Sequence, residues 1–146
     1  MTWNPRVVVV GIDGSEQSVR AARVAAELAR KDDARLFVVT VVRPPEGWWG
    51  IVGSPPPADV LASSMSEAQQ TILDATVGEL DLEGVDWEAA EEIGEPAAVL
   101  GDFCRDREAD VLVVGRRGAG IVERLVMGSV ADRVARYAPC PVLIVP

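Results

Sequence analysis

Residues 110–118, Asp-Val-Leu-Val-Val-Gly-Arg-Arg-Gly, lead after nine further residues to Gly128-Ser129-Val130. The run 110–115 is apolar and β-branched and stops at a glycine, which reads as a strand buried on both faces. Residues 129–138 have a helical pattern halted by Pro139. The stretch is therefore strand, glycine loop, helix. A matching apolar run, RVVVVG at 6–11, also ends in glycine and is followed by a helical pattern over 15–31, with Ser15 as N-cap and Glu16 in the first turn.

Outward from these two units the alternation continues. Residues 34–42 (ARLFVVTVV) read as a second buried strand, 43–59 as a long Pro, Gly and Trp-rich loop, and 60–80 as a helix. Residues 85–93 (VDWEAAEEI) alternate, with Val85, Trp87, Ala89 and Ile93 on one face and acids on the other, the pattern of a protected edge strand. Pro96 suits the first position of a helix reaching about residue 107. A short helix is expected over 120–127 and a last strand over 141–145. Small or apolar stripes, Val19/Ala22/Ala26/Ala29 in the first helix and Met65/Ala68/Ile72/Ala75 in the second, mark the expected core faces.

Strand-helix alternation of this kind means an α/β protein, a doubly wound parallel sheet of five strands with helices on both faces. The 146 residues suit a single domain over 1–146. Such sheets bind ligands beyond the carboxyl ends of the strands, where the strand order reverses.

Composition narrows the function. Apolar residues are 49% and charged residues 25%, which excludes disordered and low-complexity classes. The net charge of −9 disfavours nucleic acid and anionic membrane as partners. Residues 105–136 run against that trend, with seven arginines and five acids, while the remainder holds seven basic and eighteen acidic residues. An electropositive third within an acidic chain suits a small anion better than a polyanion. There is no histidine, so imidazole acid-base chemistry and the common nucleophile pairs are excluded. Cys104 and Cys140 read as small buried hydrophobes. No apolar run approaches a membrane span and the N-terminus lacks the pattern of a signal peptide, so the cytoplasm is the expected location.

The glycine loop carries the chemistry. Glycine permits positive φ and close backbone approach. A helix beginning at Gly128-Ser129 offers free N–H groups and a positive dipole end, a combination that suits phosphate. The alternative is a turn glycine followed by an N-cap serine. Neither G-x-x-x-x-G-K-[ST] nor G-x-G-x-x-G occurs, so P-loop and dinucleotide sites of the Rossmann type are not expected. The acidic run 81–95 reads as a solvated edge rather than a metal site.

Gly115-x2-Gly118-x9-Gly128-Ser129 resembles the signature of the nucleotide-binding branch of the universal stress protein family. Gly-Ile-Asp-Gly-Ser at 11–15, Gly-Glu-Pro at 94–96 and Cys-Pro-Val-Leu-Ile-Val at 140–145 extend the resemblance over nearly the whole chain. It implies a Rossmann-like fold of the adenine-nucleotide alpha-hydrolase type with strand order 3-2-1-4-5. It further implies an ATP site, with or without Mg. Asp13 would contact the ribose or adenine end, flanked by Gly11 and Ile12, and the backbone of Val41 would read the adenine edge. Val114 and Gly115 would border the ribose, and Arg116, Gly118, Gly128, Ser129, Val130 and Ala131 the phosphates. Arg116 departs from the family, which often has a small hydroxyl residue there. It suits either a phosphate clamp or a solvent-side ion pair.

Three functions follow from this reading. The first is an ATP-binding regulatory module for stress responses, with little or no hydrolysis. The second is a slow ATPase. The third is a nucleotide-independent interaction protein acting through the Trp48–Trp49 loop or a homodimer. The resemblance implies dimer pairing through the last strand, Val142–Val145, an apolar edge that would otherwise invite aggregation.

Overall fold

The computed structural model describes residues 3–43, 57–116 and 127–146. In chain order they form β1 (Val7–Ile12), α1 (Glu16–Asp32), β2 (Arg35–Val42), α2 (Ala58–Gly78), β3 (Asp86–Ile93), α3 (Pro96–Asp106), β4 (Val111–Gly115), α4 (Ser129–Tyr137) and β5 (Val142–Val145). The expected helix over 120–127, Gly118 and the Trp48–Trp49 loop lie outside the described residues, apart from Met127.

All strands are parallel, as the strand-helix alternation predicts, and lie in the order β3-β2-β1-β4-β5 that the family resemblance implies. β1 is central. Val9 pairs with Phe37 of β2 on one side and Leu112 of β4 on the other. Alternation along β1 divides the core between the two faces. Val8 and Val10 pack with the alanines of α1 and with Leu73 of α2. Val9 packs with Phe103 of α3 and Val134 of α4. Two helices thus cover each face, which is why β1, β2 and β4 tolerate unbroken apolar sequences.

Local chemistry sets the helix ends. The Ser15 hydroxyl accepts from the Ser18 N–H at 3.2 Å, and Asp33 closes α1 in the left-handed region at φ 53°. Ala21, Ala22, Ala25, Ala26 and Ala29 are buried, so α1 lies close to the sheet along a face wider than the predicted stripe, while Val19 is only half-buried.

Two expectations need correction. The buried residues of α2 are Gln69, Leu73 and Thr76, with Met65 and Ile72 half-buried; Ala68 and Ala75 face solvent. The helix is rotated because Gln69 is drawn inward. Its Nε2 donates to Thr40 Oγ1 at 2.8 Å, to the Thr40 carbonyl at 3.1 Å and to the Glu92 carbonyl at 2.8 Å. Apolar periodicity cannot register a buried amide that finds such partners. In β3 the expected apolar face is open: Trp87, Ala89 and Ile93 are exposed, and Ala90 on the other face packs against the core. A sheet edge is covered on neither face as fully as a central strand, and Ser66 of α2 donates to Glu91 on the supposedly apolar side.

Candidate functional site

β1 and β4 are neighbours whose chains leave the sheet in opposite directions, β1 toward β2 and β4 toward β5. The gap at their carboxyl ends is the switch point of the sheet. A cleft of about 240 Å³ opens there. β1 and its turn contribute Gly11, Ile12 and Asp13; β4 contributes Val114 and Gly115; α4 and its cap contribute Gly128, Ser129, Val130 and Ala131. Val39, Val41 and Arg43 line it from β2, Pro96 and Leu100 from α3, and Ser18 from α1.

Ten of the twelve residues predicted from sequence to form the site, Val41 of the neighbouring strand among them, therefore converge on one cleft. Arg116 and Gly118 are the exceptions among the twelve, so the ten include Val41. Gly118 is outside the described residues, and Arg116 follows β4 without lining the cleft. The backbone of Arg116 ties down the loop base: its N–H donates to the Val145 carbonyl at 2.7 Å and its carbonyl accepts from the Gly128 N–H at 2.8 Å. Its Nε is buried with no hydrogen-bond partner among the described residues.

The glycines do different work. At Gly115 a side chain would bring Cβ to 2.9 Å from Gln17 Cβ and 3.0 Å from the Gln17 carbonyl carbon. The close approach there is to α1, within the fold. At Gly11 the same substitution would strike the Leu100 side chain at 2.8 Å. Gly128 is the N-cap of α4, with φ −66° and no side-chain cap, so its place does not depend on positive φ. The cap falls one residue earlier than an N-cap serine would require. Ser129 is the first helical residue and is exposed. Among the described residues the opening N–H groups of α4 at the cleft wall have no side-chain cap, which is the arrangement that receives an anion.

Asp13 begins a turn, its Oδ1 accepting the Ser15 N–H at 2.9 Å, while its own N–H donates to Ser18 Oγ at 3.3 Å. The carboxylate is exposed and remains at the cleft wall. Arg43 is the one cation among the described lining residues. Its Nη2 lies 3.5 Å from Glu95 Oε1, which also meets Arg133 Nη1 of α4 at 2.9 Å. Glu95 Oε2 caps α3 by accepting the Ala98 N–H at 2.8 Å. Partial burial raises the Glu95 carboxyl pKa, but the Ala98 and Ala97 N–H groups and Arg133 outweigh it and hold the group below its ordinary value.

Val39, Arg43, Pro96, Leu100 and Ser18 were not foreseen. Strand alternation from Val41 leads to 39 and 43, and the helical step from Pro96 leads to Leu100. Those signals become usable only once β2 and α3 are known to flank β1.

The family model for "Universal stress protein family" matches residues 5–146. The chain belongs to that family. A universal stress protein of Methanocaldococcus jannaschii is 31% identical over 94% of this chain and 80% of its own. One from Thermus aquaticus is 33% identical over 96% of this chain and 98% of its own. Among solved structures, the universal stress protein UspA from Lactobacillus plantarum superposes with a TM-score of 0.74 at 20% identity, covering 99% of this chain and 100% of that one. A universal stress protein crystallised in complex with cAMP has a TM-score of 0.65 at 28% identity, covering 99% of this chain and 98% of its own. Among the described residues no helix is long and apolar enough to cross a membrane, and no group of three or more acidic or cysteine side chains is arranged to hold a metal.

Proposed function

We propose that this chain binds ATP in the cleft between β1 and β4 and acts as a nucleotide-dependent regulatory module in stress responses, with little or no hydrolysis. The observation that carries the reading is the uncapped N-terminus of α4 at the wall of an apolar cleft at the sheet's switch point. The residues fit an adenine nucleotide. Val39, Val41 and Leu100 line the cleft and offer an apolar bed for a base. Asp13 accepts from ribose hydroxyls. Ser129, Val130 and Ala131 present N–H groups, with the Ser129 hydroxyl, to phosphate oxygens, while the Gly128 N–H is held by the Arg116 carbonyl. The family relative crystallised with cAMP supports the adenine class. Asp13 is the one carboxylate among the described lining residues, and it stands at the β1 side rather than at α4. That supports binding over hydrolysis, since turnover needs a group to position water at the terminal phosphate.

Thermal unfolding with and without Mg-ATP tests this. A ligand about 100-fold above its dissociation constant contributes about 2.7 kcal/mol, roughly 5–10 °C for a domain of this size. A shift of that order in the parent, absent from Gly128→Val, is the expected result. No shift, with calorimetry showing no heat, overturns the reading. Phosphate release at ordinary enzyme rates of ~1–1000 s⁻¹ overturns its regulatory half.

A further inference from the structure

Arg43, the cation at the rim of the cleft, has no part in the anchoring of phosphate at α4. Val39, Val41 and Arg43 are alternate residues of one extended run, and all three line the cleft. The two valines belong to the cluster that faces α3, with Leu100. Residues on one face of a strand are about 6.5–7 Å apart, so Arg43 stands one such step beyond Val41, past the end of β2. The opening turn of α4 is tied instead to the end of β4, where the Gly128 N–H meets the Arg116 carbonyl. β4 lies two strands from β2, roughly 9–10 Å across the sheet. Arg43 therefore adjoins the apolar bed and is remote from the anion end.

Its hold on the fold is loose. The side chain is 60% exposed, and its Nη2 lies 3.5 Å from Glu95 Oε1, beyond the usual length of a charge-assisted hydrogen bond. Glu95 does not depend on that contact. Arg133 Nη1 meets the same oxygen at 2.9 Å, and Oε2 holds the Ala98 N–H at 2.8 Å. Arg43 can turn without stranding the carboxylate.

We infer that Arg43 covers the outer face of the base, its guanidinium plane stacked on the ring that the apolar bed supports from the other side. The inference rests on the nucleotide reading and deepens it by naming the residue that favours a purine. An apolar bed covers one face of a ring and leaves the other to water. A guanidinium suits that second face because it is planar, weakly hydrated and attracted by the π-system. An ammonium has the charge without the plane, so lysine is no substitute at a stacked site. A two-ring base offers more face than a one-ring base, and the contact gains with that area.

Calorimetric titration of AMP, Mg-ATP and Mg-CTP into the parent and three variants tests this. Because Arg43 is on the surface, circular dichroism should show each variant folded. In Arg43→Ala the affinities for AMP and ATP should fall by the same factor, about 5–30-fold, the size of a partly desolvated cation–π contact. The preference for ATP over CTP should narrow. Arg43→Lys should bind as weakly as Arg43→Ala, while Arg43→Tyr, planar and uncharged, should recover most of the loss. A loss confined to ATP would put Arg43 on the phosphates and overturn the inference. A lysine variant as tight as the parent would do the same, since charge alone would then suffice. Unchanged affinity in Arg43→Ala reduces Arg43 to a surface ion pair and overturns the inference with the nucleotide site intact. A parent that binds none of the three overturns the ATP reading and this inference together.

Discussion

A single carbon decides the end of β4. Any side chain at Gly115 meets both the Gln17 side chain and its backbone. The backbone of α1 cannot yield as a flexible side chain can. Gly115→Ala should therefore cost about 1–3 kcal/mol in urea unfolding. Glu95 is the second decisive residue. It caps α3 and joins Arg43 to Arg133. Glu95→Ala should cost about 1 kcal/mol, most of it the lost cap. Because the Glu95 carboxyl is held below its ordinary 4.5, its contribution is complete above that value and is lost as pH falls through the lower folded value. The parent should accordingly lose more stability than Glu95→Ala on acidification through that window, which equilibrium unfolding at stepped pH would measure.

Among the elements, α2 and β3 show how a polar contact overrides apolar periodicity. Gln69 is buried, and its amide joins the Thr40 hydroxyl and the carbonyls of two adjacent strands. Gln69→Leu keeps an apolar volume there but leaves Thr40 and Glu92 oxygens without this donor. A loss of about 1–3 kcal/mol is expected, together with faster amide exchange in β3 than in β1. Unchanged stability in that variant would mean that water or a shifted neighbour replaces the donor. α4 makes the complementary point. Among the described residues no side chain caps its first turn, while Asp132 and Arg136, 3.3 Å apart, support it further along.

The whole molecule leaves β5 at the edge of the sheet, with Leu143 40% exposed. An apolar edge strand invites pairing with another chain. A homodimer through Val142–Val145 is the assembly we propose, so light scattering at micromolar protein should return twice the 15.6 kDa chain mass. Leu143→Lys should lower it toward one chain mass while leaving the fold's circular dichroism intact. A monomeric parent would discard that assembly.

The strands and the helix starts could be read in the amino-acid sequence, because each rests on a local or repetitive signal. Unbroken valine runs mark strands covered on both faces, Ser15 and Pro96 mark helix starts, and glycines punctuate the ends of β1 and β4. The family resemblance ordered the strands and gathered Asp13, Val41 and Gly128 around one ligand. Other features depend on which segments become neighbours. The rotation of α2 arises from Gln69 meeting β2 and β3, and the entry of Arg43 and Leu100 into the cleft follows from β2 and α3 flanking β1. Periodicity reports how a segment divides solvent from core, and it carries no term for a polar group whose partner lies on another element. Such pairs are decided only by the packed tertiary structure.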